Sequence, residues 1–108
     1  MLEVAIRKVR PDKVDQLRRW MQELESRREE VLETFRQEGT RQEKAYLVHA
    51  ASGPLLIYVM EAEDPGAARA AFQASNLPID ADHKRVMAEV LEGPAESEVL
   101  YEMRSPDP

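Results

Sequence analysis

The chain has 108 residues, enough for one domain with one hydrophobic core. Its 15 basic and 21 acidic residues give a net charge of −6, which repels phosphate backbones and so disfavours nucleic acid as a partner. The absence of cysteine excludes disulfides, thiolate metal ligands and cysteine nucleophiles, and it favours a reducing compartment. No apolar run approaches the roughly 20 residues that span a bilayer, and Met1 to Val4 do not open a signal peptide, so we expect a cytoplasmic protein without membrane contact.

The first two predicted elements are a strand and a long helix. From Leu2 to Val9 apolar residues alternate with polar or small ones, the period of a half-buried strand. A helix is predicted from Asp12 to Gln37, with Asp12 as its cap and Gly39 as its end. Its apolar residues recur at spacings of three and four and form one stripe: Val14, Leu17, Met21, Leu24, Val31 and Phe35.

Two apolar strands follow as a hairpin, Lys44 to Ala50 and Leu55 to Ala62, with a turn at Gly53. Both are apolar on both faces, so each face of this part of the sheet needs cover. Helices of the same chain can cover one face only. A second copy of the sheet is the simplest cover for the other, and the sequence therefore predicts a homodimer.

The remaining elements complete a β-α-β-β-α-β order. Asp64 begins a helix rich in alanine, and Asp80 is predicted to cap a further helix that stops at Gly93. A last strand is predicted from Glu98 to Met103. This order predicts an α+β, ferredoxin-like domain with an antiparallel sheet over residues 1–104, followed by a disordered tail at 105–108.

The first and last strands are neighbours in this plan. Arg7 on the first strand is therefore expected to pair across the strands with Glu98 or Glu102.

The chain resembles an uncharacterised bacterial family of about this length, with a Pro-Ile-Asp-x-x-His signature after a Leu-Ile-Tyr strand. Both features are present, as Pro78 to Asp80 with His83, and as Leu56 to Tyr58. More broadly the chain is similar to the dimeric α+β barrel superfamily, which includes antibiotic-biosynthesis monooxygenases and L-rhamnose mutarotases. This resemblance implies a homodimer of back-to-back sheets, with a small-molecule pocket between each sheet and its helices. It carries over no activity, since the chain has no motif onto which the catalytic residues of those relatives map.

His83 and Asp80 are the candidate catalytic residues. His83 shares a predicted helix face with Val86 and Met87, which points it inward, and a carboxylate such as Asp80 could set its tautomer and raise its pKa. The pair would then act as a general acid or base. The alternative is local: Asp80 caps the helix and the ring of His83 reaches back to it, as in a capping box.

Three further residues are candidate ligand-binding residues. His49 lies in an apolar strand and could line the same cavity as Tyr58, or it is a core or interface histidine without a role in binding. Arg28 interrupts the apolar stripe and could contact an anion, or it keeps its head in water above a buried stem. The spacing of His49 and His83 is no known ligand pattern, so no metal site is predicted.

Three functions remain open after these exclusions. RNA binding on this fold needs exposed aromatics and a basic field, and metal chaperones need paired cysteines. No Gly-rich phosphate loop or His-Glu-x-x-His motif occurs, so no cofactor is predicted. The chain is a small-molecule-binding homodimer, or a cofactor-free enzyme of the mutarotase or monooxygenase type that uses His83 with Asp80, or a purely structural dimer. A cavity between sheet and helices with His83 facing it would separate the first two from the third.

Overall fold

The computed structural model describes residues 1–106, which form four strands and four helices. The strands are β1 (Leu2–Val9), β2 (Thr40–Ala50), β3 (Gly53–Ala62) and β4 (Leu91–Pro94). The helices are α1 (Val14–Ser26), α2 (Arg28–Glu38), α3 (Pro65–Ala74) and α4 (Pro78–Val90), and a short 3-10 turn at Pro11–Lys13 leads into α1. Among these residues no helix combines the length and the apolar character needed to cross a lipid bilayer. Positions 107 and 108 of the predicted tail lie outside the described residues.

The sheet has the strand order β2-β3-β1-β4, and every neighbouring pair is antiparallel. In this register Tyr58 at the middle of β3 lies between Ala5 of β1 and Ala45 of β2. The predicted α+β, ferredoxin-like fold is therefore confirmed. Each of the two crossover connections contains a pair of helices.

Residues 12–37 do not form the single helix that the stripe predicts. The helix breaks at Arg27, whose φ of −99° and ψ of 42° lie outside the helical range. The guanidinium of Arg27 binds Glu30 on α2 and Asp82 on α4, which ties the junction to α4. Asp12 is not a cap, because α1 begins without a side-chain cap, whereas Gly39 ends α2 in the left-handed conformation as predicted.

The helices pack on one face of the sheet, and this face carries the core. Val9 and Leu56 on the strands are buried there against apolar residues of α1 and α4. The helix residues of this core are Leu17, Trp20, Ile79, Val86 and Val90. Since side chains alternate along a strand, Ala5 and Arg7 share the face of Val9, and Tyr58 shares the face of Leu56.

The opposite face of the sheet, here called the open face, is mostly apolar, although Lys8, Lys44 and Glu61 also lie on it. Its apolar residues are Leu2, Val4, Ile6, Tyr46, Val48, Leu55, Ile57 and Val59. Val4 is 52% exposed and Tyr46 is 46% exposed, although both lie on hydrogen-bonded strands. The apolar side of β1 therefore faces away from the helices, and its more polar side faces them.

The predicted last strand, Glu98 to Met103, is wrong. The fourth strand is β4, which follows α4 directly and pairs with β1 next to Arg7. Gly93 and Pro94, interpreted from the sequence as a helix stop, lie in this strand. Gly93 has a φ of 147°, which a side chain would disfavour, and the register shifts beside it.

The residues after β4 leave the sheet early. Ala95 still donates a hydrogen bond to the carbonyl of Ile6 at 3.0 Å, and residues 96–106, here called the C-terminal arm, form no helix or strand. The arm carries large apolar side chains that are 74–85% exposed: Val99, Leu100, Tyr101 and Met103. Because Glu98 and Glu102 do not lie beside β1, the predicted pair with Arg7 is not formed. The Nη1 of Arg7 donates to the carbonyl of Ile6 instead, at 3.1 Å.

Candidate functional site

A cavity of about 530 Å³ lies between the sheet and helices α2, α3 and α4. Its floor comes from the helix-facing side of β1 and β3, including Ala5, Tyr58 and Met60. Phe35 of α2 and Phe72 of α3 supply apolar walls. The volume suits a small organic molecule, and the mixture of apolar walls and a few polar groups is typical of ligand pockets.

His83 faces this cavity from α4 and is held on both ring nitrogens. The indole Nε1 of the buried Trp20 donates to Nδ1 at 2.8 Å, and the hydroxyl of Tyr58 lies 3.3 Å from Nε2. The ring of Phe72 contacts the imidazole edge-on, with the centroids 5.8 Å apart. The sequence predicted that His83 faces inward but named neither Trp20 nor Phe72 as its partners.

These contacts assign one tautomer to His83. An indole N–H can only donate, so Nδ1 must accept and the ring proton sits on Nε2, where it donates to Tyr58. Burial lowers the pKa of His83 to about 4, and burial likewise raises the pKa of Tyr58. The imidazole is therefore neutral near pH 7, and its only lone pair is occupied by Trp20.

The capping-box alternative for His83 is wrong. Helix α4 begins at Pro78, its cap residue is Leu77, and no side chain caps it. Asp80 lies within the first turn, and the ring of His83 turns towards Trp20 instead of reaching back. Within residues 1–106 no hydrogen bond joins His83 to Asp80. The catalytic role of the two residues stays a prediction.

Three carboxyl groups gather at one end of the cavity, from Glu38 at the end of α2, Glu43 on β2 and Asp80 on α4. Desolvation, together with repulsion from Asp80 and Glu43, raises the pKa of Glu38 to about 7, although a hydrogen bond from Thr40 opposes this rise. Although part of Glu43 is exposed on the edge strand, desolvation of its carboxyl, with repulsion from Asp80, raises its pKa too.

The sequence contained a signal for this acidic end, although the prediction named only Asp80. Glu38 continues the apolar stripe of the helix, seven residues beyond Val31 and three beyond Phe35. Glu43 falls on the inward face of β2 by the period of two. Each residue interrupts an apolar face with a charge, and such interruptions mark functional positions.

The other charged groups at the cavity come from β1 and α3. Glu3 forms a close ion pair with Arg69, and one oxygen of this carboxylate is buried without a hydrogen-bond partner. Arg7 lines the cavity four residues along β1 from Glu3. The positive charges of the cavity therefore come from β1 and α3.

The structure brings together only some of the predicted ligand-binding residues. Tyr58 lies on the cavity floor. His49 is exposed near the hairpin turn, in register with Pro54, and Arg28 is exposed at the start of α2, and neither lines the cavity. In the part of the chain that the structure describes, no three His, Cys, Asp or Glu side chains are arranged to hold a metal ion.

The chain belongs to the family of unknown function DUF6176, whose model matches residues 2–107. Among solved structures it is similar to Rv0793 from Mycobacterium tuberculosis, with a TM-score of 0.55 and 19% sequence identity over 98% of this chain and 97% of that chain. At this identity the likeness shows the fold alone. No curated protein matches the chain.

The hydrogen bond from Trp20 can be tested through the pKa of His83. Trp20→Phe keeps an aromatic ring in the core and removes the donor to Nδ1, which favours the neutral imidazole. We therefore expect the pKa of His83 to rise above about 4 but to stay below 6.5, because the ring remains buried, and an NMR titration of its ring carbons measures this rise. Tyr58→Phe is the control. The hydroxyl of Tyr58 accepts from Nε2–H of His83 whether the imidazole is neutral or protonated, so its removal should not raise the pKa of His83. An equal rise in this control would contradict the tautomer assignment.

The raised pKa of Glu38 predicts a pH-dependent cost to folding. Between pH 4.5 and about 7 the folded state keeps a proton on Glu38 that the unfolded state releases, so the free energy of unfolding falls as the pH rises through this window. Glu38→Gln removes this loss. We expect the variant to gain stability relative to the wild type between pH 5 and pH 8, measured by urea unfolding.

Glu33→Gln serves as the control for this comparison, since Glu33 is exposed on the same helix. Its difference from the wild type should stay constant with pH. If the difference in the free energy of unfolding between Glu38→Gln and the wild type is also constant with pH, the pKa of Glu38 is not raised in the folded state.

Proposed function

We propose that the chain is a homodimer that binds a small organic molecule in the cavity between its sheet and its helices. The observation that carries this proposal is the cavity of about 530 Å³, whose surface is largely apolar and is interrupted by His83, Tyr58 and several charged side chains, Asp80 among them. A purely structural dimer has no need of such a cavity, so the binding function is favoured over that alternative. A cytoplasmic location agrees with the lack of cysteine.

The open face supports the dimeric part of the proposal. Its apolar residues lie side by side on three strands, and a continuous apolar surface of this kind on a small domain is typical of an interface. The pattern is self-complementary, because two copies of one flat sheet face can pack back to back around a two-fold axis. This is the arrangement of the dimeric α+β barrel superfamily, to which the resemblance extends.

The C-terminal arm supports the same partner. From Leu2 to Ala5 the outer edge of β1 has no neighbouring strand in residues 1–106. The arm has the alternation of a strand, with Val99, Tyr101 and Met103 at every second position, but these side chains are exposed in the single chain. A second copy offers both an edge and an apolar surface to such a segment. We therefore expect the arm to pack on the partner copy.

The enzyme alternative has less support from the geometry. A general base needs a free lone pair, and that of His83 is held by Trp20. Its Nε2–H is directed at Tyr58, so His83 orients the hydroxyl of Tyr58 at the cavity floor. This arrangement suits the binding of a polar group better than the removal of a proton by His83.

Binding in the cavity can be tested with three probes of one shape and different charge: phenethylammonium, phenethyl alcohol and hydrocinnamate. We expect at least one to shift the amide NMR signals of β1, β3 and α4 at millimolar concentration. Ala5→Phe places a ring on the cavity floor and should abolish these shifts. Ala70→Phe adds the same ring on the exposed side of α3 and should preserve them. Loss of binding in both variants, or in neither, would argue against this cavity.

The dimer can be tested by placing a charge on the open face. Val4→Lys puts an ammonium at the centre of the proposed interface, and we expect sedimentation velocity at micromolar concentration to change from a dimer to a monomer. Gln22→Lys makes the same change in charge on the exposed surface of α1 and should leave the dimer intact. If the arm packs on the partner, Val4→Lys should also speed hydrogen exchange at residues 98–103. A wild-type chain that sediments as a monomer would refute the dimer.

A further inference from the structure

The acidic end of the cavity contains a charge that the fold does not use. Asp80 is 5% exposed, and its carboxylate accepts no hydrogen bond from any group in residues 1–106. It lines the cavity, so its remaining access is to the cavity interior. A buried carboxylate normally has a partner, because an unpaired buried charge costs several kcal/mol.

The neighbours of Asp80 add to its charge. Glu38 and Glu43 both repel it, and within the described residues neither of them forms an ion pair. Of the two arginines at the cavity, Arg69 is engaged by Glu3, and Arg7 donates to the carbonyl of Ile6. The carboxyl groups of the acidic end therefore share a cavity wall with no protein cation among them.

The apolar walls define the rest of the site. Phe35 and Phe72 line the same cavity, together with Leu24 and Val31. A ligand with one polar group bound by the carboxyl groups would place its remaining atoms against these apolar side chains. The cavity therefore offers two different surfaces, a small anionic one and a larger apolar one.

We infer that the ligand of the proposed binding function is an organic amine, whose protonated amino group is held by Asp80 with Glu38 and Glu43 and whose apolar body lies against Phe35 and Phe72. This inference rests on the proposed function, since it concerns the same cavity. An ammonium group supplies hydrogen-bond donors to Asp80 and Glu43, which have none among the described residues, and to Glu38, which accepts only from Thr40. The described residues provide no cluster arranged for a metal ion, which favours a cation with donors of its own.

The inference predicts a proton linkage. Glu38 is faced by Asp80 on α4 and Glu43 on β2, and the Glu3–Arg69 pair and Arg7 line the same cavity. Because desolvation and repulsion raise its pKa to about 7, Glu38 carries its proton over much of the range below pH 7. Bound ammonium favours the ionised form. An alkylammonium keeps its own proton up to a pH of about 10. Affinity for the amine should therefore increase from pH 6 to pH 8, and Glu38→Gln should flatten this increase.

The decisive experiment compares the three phenethyl probes on the wild type, Asp80→Asn and Asp82→Asn by NMR titration. We expect phenethylammonium to bind the wild type more tightly than the alcohol or hydrocinnamate. Asp80→Asn preserves shape and removes the charge, so the ammonium affinity should fall about ten- to a hundredfold while the alcohol affinity is unchanged. Asp82→Asn makes the same substitution on the same helix outside the cavity and should not change either affinity. Glu43→Gln should also lower the affinity for phenethylammonium, independently of the change at Asp80.

The outcomes separate the two levels of the proposal. If the alcohol or hydrocinnamate binds in the cavity as tightly as the ammonium, or if Asp80→Asn leaves the ammonium affinity unchanged, the amine inference is wrong and the binding function stands. If none of the three probes shifts the cavity signals, both are wrong.

Discussion

The rest of this structure depends on one constraint, which is that helices cover only one face of the sheet. Four helices pack on one face of a four-stranded sheet, and the core lies between them, around Val9, Leu56 and Val90. That arrangement leaves the helix-facing side of β1 with Glu3, Ala5 and Arg7, which are too small or too polar to fill the space beneath α2 and α3. The cavity is the result. The aliphatic residues of β1 face the other way, onto the open face, where residues 1–106 supply no helix.

Within the cavity the polar groups fall into two sets with opposite responses to pH. The folded state disfavours the proton on His83, whose pKa is about 4, so the free energy of unfolding rises as the pH rises from there to 6.5. The folded state favours the proton on Glu38, whose pKa is about 7, so the same free energy falls as the pH rises from 4.5 to 7. The two contributions oppose each other over nearly the same window. The free energy of unfolding of the native chain should therefore change less with pH over this window than either group alone would make it change.

The fold could be predicted from the hydrophobic periodicity and the order of the elements. The prediction was wrong at features that no periodic pattern in the sequence marks. Strands β1 to β3 and the end of α2 at Gly39 could be predicted because alternation, the hairpin turn and a left-handed glycine are local signals. The break at Arg27 could not, since neither glycine nor proline marks it, and its ion pairs with Glu30 and Asp82 appear only after α4 has packed. The last strand was misplaced because Val99, Tyr101 and Met103 alternate as a strand should, whereas β4 is only four residues long and contains Gly93 and Pro94. The inward position of His83 followed from its helix face, but its partner Trp20 is 63 residues away along the chain.

The acidic end of the cavity is where the folded structure departs most from what stability alone would favour. Asparagine at position 80 would have the same shape, would lose no hydrogen bond within the described residues, and would remove repulsion from Glu38 and Glu43. The dipole of α4 favours an acidic residue in its first turn, but by only about 0.3–2 kcal/mol, which is less than the several kcal/mol that an unpaired buried charge costs. Folding alone therefore does not account for the charge of Asp80. A protein tolerates an unpaired buried carboxylate when something outside the chain completes it. The raised pKa of Glu38 is consistent with this, because a carboxyl group that holds its proton near neutrality limits the repulsion in the empty cavity and can release that proton when a cation enters. The same residues that weaken the free fold would then strengthen the bound one.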